Sequence, residues 1–217
     1  VRPAVALVVA KAPVAGKAKT RLGREIGMQR AAELAAAALL DTLATCASAY
    51  GVERCHLALD GILAHGALGD ELIDATEGWT VHPQRGDGFA ERLVHAHLDA
   101  AAFSGAPVVQ VGMDTPHLDA GVLNQAAAML TGPDVAVVGP AYDGGWWLLG
   151  VGGPHLLAHL QDVPMSTGET GHLTRLALLG AGAQVGEVAA LRDVDDVGDA
   201  ESVANDAPQT RFAMAWR

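Results

Sequence analysis

The chain has 217 residues, of which half are hydrophobic, 18% charged and 4% aromatic. That mixture, with its apolar content mostly Ala, Leu, Val and Gly, suits one α/β domain with a sizeable core. The formal net charge of −11 argues against nucleic acid and anionic lipid as partners.

Residues 4–10 form a continuous apolar run, the pattern of a strand covered on both faces. A Gly-, Pro- and Lys-rich loop follows over 11–23. Residues 28–47 are rich in Ala and Leu, lack Gly and Pro, and predict a long helix. Residues 54–60 read as a second strand and 79–82 as a short third, with a short helix expected between them. Residues 88–103 carry Phe89, Leu93, Ala96 and Ala100 at helical spacing, with His95 and His97 expected on the helix surface. Residues 107–112 are another buried-type strand, running into Met113-Asp114-Thr115-Pro116. Asp119 is the expected N-cap of a helix reaching Leu130. Strands are predicted over 135–140 and 146–151, around a turn at Tyr142-Asp143-Gly144-Gly145. A helix is expected over 169–180 and a last short one near 199–205. This alternation predicts one doubly wound α/β domain over 1–207, with a C-terminal tail over 208–217. Ligands of such sheets bind beyond the carboxyl ends of the strands.

Cys46 and Cys55 fit no disulfide framework and no C-x-x-C spacing, so both read as buried, inert thiols. The first residues lack a signal-peptide layout, and no apolar run reaches the roughly 18 residues of a membrane span. A cytoplasmic protein is expected. The histidines show no metal-ligand pairing, which argues against zinc.

The three lysines, Lys11, Lys17 and Lys19, lie together, and Arg21 and Arg24 follow closely. Five of the 14 basic residues thus share one short segment of an otherwise acidic chain. It directly follows the first strand, where phosphate-binding loops of α/β proteins lie. Gly16 has no side chain to keep a phosphate from the backbone. A P-loop would need Ser or Thr after Lys17, where Ala18 stands, and Gly16 alone makes no dinucleotide fingerprint. The alternative is a solvated basic turn.

Asp114 follows a buried strand directly, and oxygen ligands of this kind suit Mg²⁺ or Mn²⁺. A helix-capping or turn role would explain a single Asp equally well. In an extended Asp193-Val194-Asp195, the two carboxylates point to one side and can face one cation. An acidic helix N-terminus is the alternative there. Asp143-Gly144-Gly145 is a turn whose glycines would let a ligand approach the backbone, or a plain hairpin turn. Ser166 and Thr167 offer hydroxyls after Pro164.

Three segments, Lys11-x-Pro13-x-x-Gly16-x-x-Lys19-Thr20-Arg21-Leu22, Gly112-Met113-Asp114-Thr115-Pro116 and Asp143-Gly144-Gly145-Trp146-Trp147-Leu148-Leu149-Gly150, resemble the DUF2064 proteins. These are glycosyltransferase-A-like proteins often labelled arsenosugar-biosynthesis glycosyltransferases. A more distant likeness is to phospholactate/phosphoenolpyruvate guanylyltransferases. The resemblance covers residues 4 to about 203 and implies a Rossmann-like nucleotide-diphospho-sugar transferase fold with a mostly parallel sheet. It implies nucleotide phosphates on Lys11, Gly16, Lys17, Lys19, Thr20 and Arg21, and a metal on Asp114 with Asp193 or Asp195. It also implies an acceptor pocket at Gly144, Gly145 and Ser166, beside Asp143. Gln84 to Leu93, with Gln84 and Arg92 as substrate contacts, resembles a further family stretch. Phe89 and Ala90 stand there where Leu and Gly are the pattern. Trp146-Trp147 replaces a more usual Tyr pair, and Gly112 stands where a sugar transferase often carries the first Asp of a D-x-D.

The leading reading is nucleotidyl transfer from a magnesium-bound NTP to a small anionic, phosphorylated acceptor, with Lys19 and Asp114 as the catalytic pair. So concentrated a basic loop suits a triphosphate better than a diphosphate sugar. Glycosyl transfer from a nucleotide sugar, nucleotide-free chemistry on a metabolite such as phosphoenolpyruvate, and a silent nucleotide-binding subunit are the alternatives. The sequence is also compatible with a homodimer.

Overall fold

The computed structural model describes residues 2–217. Strand β1 (Val5–Lys11) is buried at every residue but its last. Its Ala6, Val8 and Ala10 join one core cluster while Val5, Leu7 and Val9 join another across the sheet. A strand coated on both faces has no use for polar alternation, hence its unbroken apolar run. Helix α1 (Thr20–Ile26) and helix α2 (Met28–Tyr50) follow, then β2 (Cys55–Asp60), α3 (Gly69–Ala75), β3 (Thr80–Pro83) and α4 (Phe89–Ser104). The second half holds β4 (Val108–Gly112), α5 (Ala120–Met129), β5 (Val135–Pro140), β6 (Trp146–Val151), α6 (Thr170–Gly180), β7 (Gln184–Glu187), α7 (Val197–Asp206) and α8 (Arg211–Trp216).

The seven strands run in the order β3-β2-β1-β4-β6-β5-β7. All neighbours pair in parallel except β6, which is antiparallel to both β4 and β5. The chain thus folds as a single, mostly parallel α/β sheet with helices on both faces. Residues from α2 and α5 cover one face, while α4 and α6 cover the other. The sheet grows outward in both directions from the β1/β4 pair. That crossover opens a crevice at the strands' carboxyl ends.

Several expectations need correction. The basic loop ends at Lys19 rather than Gly23, because Leu22, the apolar anchor of α1, is fully buried against α2, α7 and α8. Strand β7 escaped notice because it is four residues at an edge with no fully buried position. Residues 208–217 are no loose tail. Thr210 caps α8 through Ala213 N–H, both Asp41 oxygens accept from the Arg211 and Phe212 amides at 3.0 and 2.9 Å, and Phe212 is 1% exposed. His97 is not on the helix surface but fully buried. Helix α2 is, by length and composition, apolar enough to cross a membrane, contrary to the reading that no segment is. Two-thirds of its most apolar stretch (67%) is buried inside the protein, so here it is a core helix. Asp119 caps α5 as expected, accepting from Gly121 N–H at 2.7 Å. Cys46 and Cys55 are free and buried, and burial pushes both thiols up, Cys55 to about 12.

Candidate active site

A cleft of about 740 Å³ opens at the carboxyl ends of β1, β2 and β4. It is lined by Lys11, Lys17, Lys19, Thr20 and Arg21 from the basic segment and by Asp114, Asp193 and Asp195 opposite. Gln84, Arg92, Asp143, Gly145 and Ser166 line it as well. Of the expected residues, Gly16 and Gly144 are not on its wall.

Lys19 is the hinge of the charged end. It precedes α1 in a left-handed conformation, φ 48°, a strained state for a non-glycine residue and one found often at functional sites. The turn aims its side chain inward, where only 10% is exposed. The ammonium pairs with Asp114 at 3.0 Å and Asp195 at 3.2 Å, and donates to the Val194 carbonyl. Burial alone would lower its pKa, but Asp114 and Asp195 together outweigh that and raise it. Lys19 is therefore fixed as a cation. Arg21 pairs with the other oxygen of Asp195 at 3.1 Å, and Lys11 pairs with Asp60 at 3.6 Å. Among the described residues Lys17 has no ion pair, and it is exposed on the cleft wall.

Asp193 and Asp195 both line the cleft, with Val194 between them buried against Leu22 and Phe212. They do not, however, form one closed ligand set with Asp114. Asp195 commits one oxygen to Lys19 and the other to Arg21. Asp193 accepts from the Thr115 hydroxyl at 2.7 Å. Burial pushes Asp193 up to about 6, and the negative fields of Asp114 and Asp143 add to the rise against the lowering by Thr115 and Lys19. Among the described residues no three His, Cys, Asp or Glu side chains are placed to hold an ion by themselves. Magnesium needs no such cage, since it takes one or two carboxylates and fills its shell with phosphate oxygens and water. Asp114 and Asp193, hard oxygen donors in a locally over-negative corner, fit that description. Asp195 fits the role of lysine partner better.

The opposite end of the cleft is built differently. Gly145 N–H donates to Asp143 Oδ1 at 2.8 Å, which fixes that carboxylate at the turn before β6. Gly144, at φ 89°, serves packing and not ligand approach. A Cβ there would lie 2.1 Å from the Gly168 carbonyl oxygen, and its own carbonyl accepts from Gly171 N–H. Gly16 lies in the turn before α1 at φ 76°, with open space where a Cβ would stand. Ser166 reaches the wall in a left-handed conformation, φ 60°. Gln84 Nε2 spans the Ala10 and Ala58 carbonyls at 2.9 and 3.0 Å, tying β1 to β2. Arg92 pairs with Asp60 at 3.3 Å. The Trp146 and Trp147 indoles donate to Thr174 and to the Ala189 carbonyl.

Sequence reasoning missed Asp60, Thr115 and Gln110, all on the cleft wall. Asp60 carries the signal used for Asp114, a carboxylate ending an apolar strand. Gln110 is the one polar residue inside Val108–Gly112.

The model of the family described as "Uncharacterized protein conserved in bacteria (DUF2064)" matches residues 42–167. That span contains Asp114 and the Asp143 turn but neither the basic segment nor Asp193–Asp195, so it is narrower than the resemblance read from the motifs. No curated protein matches the chain. Among solved structures, a candidate nucleotide-diphospho-sugar transferase from Desulfovibrio desulfuricans is similar with a TM-score of 0.81 at 25% identity, covering 100% of this chain and 93% of that one. A cytidylyltransferase from Leptospira borgpetersenii is similar with a TM-score of 0.60 at 14% identity, covering 99% and 92%. CMP:2-keto-3-deoxy-manno-octonic acid synthetase complexed with CTP is similar with a TM-score of 0.53 at 17% identity, covering 99% of each chain. The fold is thus that of the nucleotide-diphospho-sugar transferases, and the chain belongs to the DUF2064 family.

Proposed function

We propose that this protein is a Mg²⁺-dependent transferase that moves a nucleotidyl group from an NTP to a small anionic, phosphorylated acceptor. The observation that carries this reading is the inward-turned Lys19, held as a cation between Asp114 and Asp195 with Lys17 and Arg21 beside it. Lys17 and Arg21 neutralise the outer phosphates. Lys19 lies between the carboxylates and the phosphate chain, where its charge stabilises the departing pyrophosphate. Asp114 and Asp193 would hold the metal. Mg²⁺ bound there would supply Lewis-acid neutralisation of phosphate charge. The acceptor's own anionic oxygen is the nucleophile, so no covalent protein intermediate is required.

Glycosyl transfer from a nucleotide sugar is the second reading, favoured by the likeness to the Desulfovibrio protein. Binding is tested by thermal shift with Mg²⁺ and each NTP in turn. An NTP at 100 times its Kd adds roughly 2.7 kcal/mol of stability. Lys19→Ala and Asp114→Asn are each expected to abolish that shift. If both variants retain it in full, the NTP is not bound where we place it.

A further inference from the structure

Gln110 on the cleft wall and His97 buried away from it form a polar pair that neither the metal corner nor the basic wall uses. Gln110 sits mid-strand on β4, in register between Leu7 of β1 and Leu149 of β6. It is 2% exposed yet lines the cleft. Its Oε1 is buried without a hydrogen-bond partner, as are both ring nitrogens of the fully buried His97 on α4. Burial lowers the His97 pKa to about 3 and keeps the ring neutral, and the neighbouring Gln110 side chain opposes that lowering without reaching full hydrogen-bond geometry. The Gln110 Nε2 makes no hydrogen bond among the described residues, yet it is not one of the sealed, unpartnered atoms. The amide nitrogen is therefore the polar end of this side chain that reaches the cleft, while the carbonyl end is sealed.

Buried polar atoms without partners cost stability, and an apolar side chain of the same shape would remove that cost. The pair is thus poorly explained as scaffolding. Its surroundings state what it would bind. Val9, Leu93, Trp146 and Met165 pack together on this face and line the cleft. The first, second and fourth have no side-chain N–H or O–H, and the Trp146 indole N–H is taken by Thr174 at 3.1 Å. The Gln110 amide is the donor this apolar wall presents. An anion here would meet no cationic partner from the wall and would be costly to bury, whereas a hydroxyl needs one good hydrogen bond.

We propose that Gln110 is a specificity-determining residue whose amide donates to an uncharged hydroxyl oxygen of the acceptor, with His97 as the positioning residue that orients the amide. Taking the occupant as the acceptor rests on the transferase reading above. The acceptor's anionic group then lies toward the metal corner and its hydroxyl-bearing body over Trp146.

The test compares two probes, glucose 1-phosphate and ethyl phosphate, by calorimetry with Mg²⁺, first without nucleotide and then with the NTP that gives the largest thermal shift. The wild type is expected to bind the polyol phosphate about tenfold more tightly than ethyl phosphate, the scale of one well-made hydrogen bond in a dry site. Gln110→Met, close in shape, is expected to erase that preference while leaving the melting temperature equal or higher and the NTP shift intact. His97→Leu should weaken the same preference, and the double variant should lose no more than Gln110→Met alone. A scaffolding role would instead lower the melting temperature and spare the preference. Retention of the preference in Gln110→Met, or its absence in the wild type, overturns the proposal. Loss of the NTP shift in the wild type would overturn the nucleotide reading instead, and the nucleotide-free comparison judges Gln110 separately.

Discussion

The two ends of the cleft hold their ligand-facing groups by opposite means. At the β1 end, Lys19 is fixed by charge: two carboxylates and a carbonyl surround an ammonium that has lost most of its water. At the Trp146 end, Gln110 is fixed by packing, with its carbonyl oxygen sealed and unpaired. The first arrangement is stable without a ligand and must be partly undone to take one. The second keeps a sealed, unpaired carbonyl oxygen whether or not the cleft is occupied, and offers an occupant only its amide nitrogen. Phosphate-handling chemistry suits the charged end, where electrostatic groups set in advance do most of the catalysis. Selection by shape and one hydrogen bond suits the other.

Lys19 is the most sensitive position of the charged end. Lys19→Ala is expected to lower turnover by about 100-fold or more, the scale of removing one charge-stabilising donor. Measured kcat/KM for the NTP, taken at sub-saturating nucleotide, checks this. A change below tenfold would mean that the charged end holds the protein together and does little else.

The next largest effect belongs to the uncharged end and is read as stability against pH. The His97 pKa is lowered by burial to about 3, so between pH 6.5 and about 3 the unfolded chain binds the proton and the folded one does not. Stability therefore falls as pH falls through that window, by about 1.4 kcal/mol per unit. Denaturant titrations of wild type and His97→Leu should diverge in slope below pH 6.5 and run parallel above it. Parallel curves throughout would contradict a sealed neutral ring.

Asp193 gives a smaller effect of opposite sign. Its pKa is raised to about 6, so the folded state holds the proton more tightly, and stability is lost as pH rises from about 4 to 6. Asp193→Asn, which keeps an acceptor for Thr115, should gain about 2 kcal/mol at pH 7.5 and little at pH 4. The same variant should lose Mg²⁺-dependent nucleotide binding. The smallest expected change is at Ser166, where glycine relieves the left-handed backbone. Ser166→Gly should add about 0.5–1 kcal/mol by thermal denaturation.

Much of the charged end was legible because charge contrast survives in one dimension. All the lysines stand together in an acidic chain, and Asp114 and Asp193 follow or flank apolar segments. The division of labour among the carboxylates was not legible. Asp195 differs from Asp193 only through Lys19 and Arg21, about 175 residues away in sequence. Gly144 looked like a ligand contact for a related reason, since the Gly168 backbone that crowds it belongs to another loop. His97 and Gln110 were hidden because helical periodicity marks apolar positions as buried and lets polar ones default to the surface. The same default left α8 unread, although Thr210 as a cap with Phe212 and Trp216 at i,i+4 spacing is a short helical signature.

Product identity decides whether the charged end serves a triphosphate. The protein with Mg²⁺, NTPs and phosphorylated acceptors, followed by phosphorus NMR, should release inorganic pyrophosphate in step with a new diester or diphosphate signal, and Lys19→Ala should release almost none. Nucleoside diphosphate from nucleotide sugars, with no pyrophosphate from any NTP, would contradict the account and assign the same cleft to glycosyl transfer.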